Sequence, residues 1–350
     1  MLVPLAEREA PLNIYADLTP SEYGGCVQAA NINTRAEMVA NLSEYFTESR
    51  IDPANVCFIV TGSDGKSERH AKSITEVGIL TNDPTLSFIA EDFTMWYSGD
   101  HMVKKDITRT FDVNPHTGIP DVRHVSTVTG NPSTRSDTDV LSYAFGDRKR
   151  VYPDRIINAQ HIFGNEEILR DAKRQVYVEA TTPPTGKRIR QDMKVQLRDY
   201  KRSLADGGAQ GVYHRQRAFS LEPAMQYYSE DKSYYTLGFK IPALRTIQRS
   251  LDLYTVESIM SGKLTIDDAV TFPTDTVGRI DALQRRGHIP IYSVNSNGHI
   301  GEAYDWFLQQ YHAAQNANHR SGKAVAMPFS QEEFVTHQRT ILSFLHELRG

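Results

Sequence analysis

The sequence predicts a mixed α/β amino-terminal domain followed by an all-helical carboxy-terminal domain. Three observations lead there. A helix, a strand, a turn and a second strand follow one another between Thr34 and Leu80. The composition breaks at Thr181-Thr-Pro-Pro-Thr-Gly186. Beyond that break the apolar residues recur at helical spacing.

Residues 1–33 are punctuated by Pro4, Pro11 and Pro20 and read as an irregular arm. From Thr34 the spacing of Met38, Val39, Leu42, Tyr45 and Phe46 predicts a helix. Thr34 and Glu37 make a capping-box pattern at its start. Pro53 and Asn55 turn the chain into an apolar strand, Val56–Thr61, with a second strand ending at Leu80. Leu86–Tyr97 is strand-like, Asn114–Asp139 reads as a long loop, and Arg155–Phe163 reads as a strand ending at Gly164. Glu166–Val178 turns helical, which closes an α/β domain over residues 34–180.

Residues 187–350 read as the helical domain. Met193–Leu204 is amphipathic and basic. Ala243–Met260, Ile300–Ala314 and Gln331–Leu348 carry apolar residues at helical spacing, with Asn316–Ala324 as a polar linker before the last helix. No internal repeat is visible.

Composition narrows the function. The chain has 350 residues, with 39% hydrophobic and 23% charged side chains and a net charge of −4. That suits a globular protein and argues against generic nucleic-acid binding. No run has the apolar length of a membrane span, and no Sec-type leader is visible at the amino terminus. Cys26 and Cys57 are too few for a disulfide framework, which predicts a reducing, cytoplasmic compartment. Cys57 lies within the apolar strand and is expected to be a small buried hydrophobe.

The chemistry concentrates in Phe58-Ile-Val-Thr-Gly-Ser-Asp-Gly-Lys-Ser-Glu68 and the strand that follows it. Glycine lets backbone approach a phosphate closely, and a serine hydroxyl with nearby amides can donate to it. Taken alone, a Gly-Ser pair is more often a simple turn. Glu76 on its strand is as readily an ion-pair partner for Lys66 or Arg69 as a metal ligand. Lys187–Arg202 reads as a solvated basic helix face, and the isolated histidines carry no paired metal spacing.

The longer pattern, Gly62-Ser63-Asp64-Gly65-Lys66-Ser67-Glu68 with Ser73-Ile-Thr-Glu76, resembles the nucleotidyltransferase-fold motif. It is most similar to the bacterial signal-protein uridylyltransferases and their uncharacterised relatives. Those read Gly-Ser-x-Gly-Arg-x-Glu, then Ser-Asp-x-Asp and an apolar strand. Asn158-Ala159-Gln160 stands where they have Asp-x-Arg. Gly238–Gln248, with Lys240 and Arg245, resembles their helical segment. The resemblance runs in order over roughly residues 35 to 315.

The resemblance implies a nucleotidyltransferase-like fold that takes a nucleoside triphosphate with Mg or Mn. Gly62, Ser63, Gly65, Lys66 and Ser73 would hold the triphosphate. Glu76 and Asn158 stand at metal positions, and Glu76 and Asp154 are the catalytic candidates. A nucleoside monophosphate would pass to a hydroxyl, with a protein as acceptor or partner and no membrane. Ile74 departs from the pattern, because isoleucine cannot coordinate magnesium at the first acidic position. Either Asp64, Glu68 or Asp154 substitutes for it, or the chain is an inactive binding or regulatory module.

Overall fold

The structure, a computed structural model, describes residues 18–68, 77–81, 83, 86, 89, 126–129, 140–145, 153–205, 240–289, 299–321 and 331–348. These fall into two compact units. One is drawn from Val27–Ile189 and Leu264–Asp275. The other is drawn from Ala10–Cys26, Arg190–Lys263 and Thr276–Gly350. The first holds the sheet. The described elements of the second are helices.

Helix α1, Pro20–Ser49, starts well before the expected Thr34. Its cap is Thr19. The Glu22 amide donates to Thr19 Oγ1 at 3.4 Å, and the Glu22 carboxylate accepts from the Thr19 amide at 2.9 Å. This reciprocal pair with Pro at the first helical position is a strong start signal. Gly24 and Gly25 obscure it, because glycine is a poor helix former. The irregular arm expected over residues 1–33 is therefore helical from Pro20 onward.

Strand β1, Val56–Val60, is wholly buried. Strand β2, Val77–Thr81, pairs with it antiparallel, from Val56 opposite Thr81 to Val60 opposite Val77. The expected hairpin is present. Strand β3, Ser126–Thr129, lies parallel to β2 inside the stretch expected to be loop. The remainder of Asn114–Asp139 lies outside the described residues. So does Leu86–Tyr97 except Leu86 and Ile89, neither of which is in a strand.

Arg155–Phe163 is not one strand. It opens as a helical turn, α4, Asp154–Ile157, and becomes extended only in β4, Gln160–Gly164. (The short α3, Val140–Phe145, precedes it.) β4 pairs antiparallel with β1, with a bulge between Phe58 and Ile59. The sheet is mixed, in the order β3-β2-β1-β4.

Both faces of β1 are covered, which explains its unbroken apolar run. Val56, Phe58 and Val60 join Met38, Leu42, Tyr45 and Phe46 of α1 in one core. Those α1 residues follow the helical repeat that predicted them. The Phe46 ring meets Phe58 edge-on at 5.6 Å and stacks on Phe163 at 5.1 Å.

Cys57 alternates to the other face, beside helix α5, Glu166–Thr181. Burial pushes its thiol up to about 12, against a lowering hydrogen bond from the backbone of Leu169. The thiolate is the reactive form. At pH 8 a maleimide is expected to modify Cys26, which is half-buried, and to reach Cys57 only after denaturant is added. Mass spectrometry of the two tryptic peptides checks this.

Helix α6, Thr185–Ala205, crosses the division between the units at Ile189. Helix α8, Ile266–Val270, belongs to the sheet unit. A capping box at Thr265 and Asp268 starts α8, and Arg174 of α5 pairs with its Asp267 at 3.0 Å.

In the helical unit, a π-helical turn, Lys240–Arg245, leads into α7, Thr246–Met260. It is followed by α9, Thr276–Arg285, α10, Ile300–Ser321, and α11, Gln331–Glu347. Helix α10 runs on to Ser321, through much of the linker expected over Asn316–Ala324. Tyr304 is buried in this unit. Its hydroxyl accepts from Gln248 at 2.6 Å and lies 3.1 Å from the Thr276 hydroxyl. Among the described residues no helix is long and apolar enough to cross a membrane.

Candidate functional site

The Gly-Ser segment is not a bare turn between strands. It is a single helical turn, α2, Gly62–Gly65, set at the end of β1. Gly62 has φ +62°, a conformation glycine adopts without strain. The turn closes through the Gly65 amide on the Thr61 carbonyl at 3.0 Å. The Glu68 amide then reaches back to the Ser63 carbonyl at 2.9 Å. That bond, with Ser67 in the left-handed region at φ 57°, is the Schellman way of ending a helical turn.

Gly65 is required by space. A Cβ there would stand 2.4 Å from the Asn158 carbonyl oxygen and 2.9 Å from that of Val60. Backbone therefore packs on backbone, and α2 sits against the turn between α4 and β4. Two regions far apart in sequence, both singled out from the sequence, meet here.

The individual residues stand as follows. Gly62, Ser63 and Lys66 are half-buried and Gly65 is buried. Asp154 opens α4, half-buried, and its carbonyl accepts from the Asn158 amide at 3.1 Å. Asn158 is 3% exposed and Glu68 is 8% exposed, so both are interior groups. Ser73, Ile74 and Glu76 lie outside the described residues, as does the side chain of Asp64.

Four contributors escaped the sequence reading. The Ser67 hydroxyl accepts from the Arg35 guanidinium and from the Gln160 amide, the latter at 3.1 Å. Gln160 also donates to the Thr274 hydroxyl. The Asn31 amide donates to the Ser67 carbonyl at 3.3 Å. Asn31 and Arg35 are one turn apart on α1, and Gln160 is opposite Val60 in the ladder, beside the start of α2. Only Gln160 had a signal, because it stands where the resembling chains have arginine. Holding serine rather than glycine in a left-handed seat costs about 1 kcal/mol. A hydrogen bond from a charged donor returns about 1.5–3 kcal/mol.

Chemically, the arrangement offers backbone amides and hydroxyls at a glycine-lined turn, with Lys66 on the turn and the Arg35 guanidinium bound to Ser67 behind it. That donor set suits an oxyanion. Among the described residues, no three His, Cys, Asp or Glu side chains come together as a metal-holding group. The fold and site define an α/β protein with a helical companion unit and a polar, glycine-lined turn at the end of its central strand. No protein-family model matches the chain, and no curated protein sequence matches it.

Proposed function

We propose that the chain is a nucleotidyltransferase-like protein that takes a nucleoside triphosphate and passes its nucleoside monophosphate to a hydroxyl. The observation that carries this reading is the seating of Gly65 on the Asn158 carbonyl. It joins the Gly-Ser turn, beside an antiparallel hairpin, to the segment where the resembling chains carry a further acid.

In this reading Gly62 and Ser63 grip phosphate through amides and a hydroxyl, and Lys66 offsets its charge. The acceptor oxygen attacks the α-phosphorus. The bond from that phosphorus to the bridging oxygen breaks, and pyrophosphate leaves with the electron pair. The acceptor proton passes to a carboxylate, and Asp154 is the described candidate. Magnesium keeps several waters and takes one or two carboxylates with the substrate phosphates. Glu76 and Asp154, with the neutral Asn158 amide, would satisfy that count. When bound, the ion would neutralise charge on the leaving pyrophosphate. A protein acceptor rests on the resemblance alone.

A second reading has its own support. Ile74 removes the first acid of the pattern, and Asn158 is both neutral and interior. These favour a binding or regulatory module without turnover.

Calorimetric titration with ATP and UTP, each with magnesium and with manganese, separates the readings. Metal-dependent binding that is lost in Glu76→Ala and abolished by chelation is expected. Metal-independent binding that survives the substitution would favour the module. No binding under any condition would sink both nucleotide readings and turn attention to protein partners.

A further inference from the structure

Ser67 occupies the position that ends the α2 turn, where glycine is ordinarily used. It is 8% exposed and left-handed. Its hydroxyl is the meeting point of a cation from α1 and an amide from β4. Gln160 spends its two N–H donors on Ser67 and Thr274, so it ties the turn to the segment after α8. With Asn31 on its carbonyl, Ser67 is held from both its side chain and its backbone. A simple helix stop needs none of this. Glycine would end the turn with less strain.

We propose that Ser67, clamped by Arg35 and Gln160, is a positioning residue that sets the Gly62–Ser63 amides for an oxyanion. This rests on the reading of the turn as a triphosphate site. Ser67 does not touch the phosphate. It acts through the Ser63 carbonyl, which the next amide, that of Glu68, holds at 2.9 Å. Binding geometry is lost when such supports relax by even a fraction of an ångström.

Two variants divide positioning from stability. Ser67→Gly keeps the left-handed backbone and removes the clamp. Ser67→Ala removes the clamp and keeps the strain. Ser67→Gly is expected to melt slightly below the unaltered chain, because relief of strain offsets part of the lost bond, whereas Ser67→Ala melts lower still. Both are expected to bind MgATP or MgUTP about tenfold more weakly by calorimetry, the loss of one charge-assisted bond's ordering effect. Amide exchange across Ser63–Glu68 is expected to quicken in Ser67→Gly by more than its small loss of stability accounts for.

A Ser67→Gly variant that binds as tightly as the unaltered chain, with unchanged exchange, overturns the clamp and leaves the triphosphate reading standing. An unaltered chain that binds neither nucleotide overturns that reading, and the clamp's role falls with it.

Discussion

Asp252→Ala is expected to destabilise the helical unit by about 3–5 kcal/mol, the cost of stranding buried charge. Asp252 on α7 is 1% exposed. The Arg279 guanidinium of α9 donates to it at 2.7 Å, and Arg249 approaches at 3.9 Å. Both arginines are buried too, at 3% and 5% exposure. Arg279 also reaches the Thr255 hydroxyl at 3.4 Å. One carboxylate thus faces two cations in the interior, and its removal leaves both without it. Asp252→Asn retains an acceptor and is expected to lose less. Trp306, buried in the same unit, reports the transition by fluorescence in a Trp96→Phe background. Urea midpoints that coincide for Asp252→Ala and the unaltered chain would show that this ion cluster contributes nothing net.

Gly65→Ala is the corresponding test in the sheet unit. The added carbon would lie 2.4 Å from one carbonyl oxygen and 2.9 Å from another. Neither oxygen belongs to a flexible side chain. The α2 turn must lift from the Asn158 turn, or β4 must shift on β1. Overpacking of this kind costs about 1–3 kcal/mol, and two backbone contacts point to the upper end. On the proposed function, triphosphate binding is expected to vanish even where the unit stays folded, since the turn and the Asn158 segment part. Circular dichroism melts and calorimetry on the same preparation read the two effects separately. A stable variant with intact binding would mean the close seating is unimportant to the site.

The legible elements were those written in local periodicity. The apolar repeat from Met38 to Phe46, the unbroken run of β1 and the long helices α6, α7, α10 and α11 were readable, because packing faces impose their spacing on sequence. The misread elements were those whose reason lies in another part of the chain. β3 is four residues of Ser, Thr and Val amid Pro and Gly, and it is extended because β2 offers it a parallel edge. The apolar residues of α4 read as strand, yet Ile156 and Ile157 are buried from a helical turn. The helix starts at the Thr19 cap rather than at the Thr34–Glu37 pattern, and the two glycines inside it mask that start.

The α/β-then-helical order, the central hairpin, the buried cysteine strand and the glycine-lined segment are legible along the chain. Each follows from short-range spacing or from residue chemistry. That Asn158 closes over Gly65, that Leu264–Asp275 returns to the sheet unit, and that Arg35 and Gln160 converge on Ser67 emerges only on folding. Those pairs are tens of residues apart or more. Their meeting depends on strand register and helix packing, which a linear reading of side-chain periodicity does not contain.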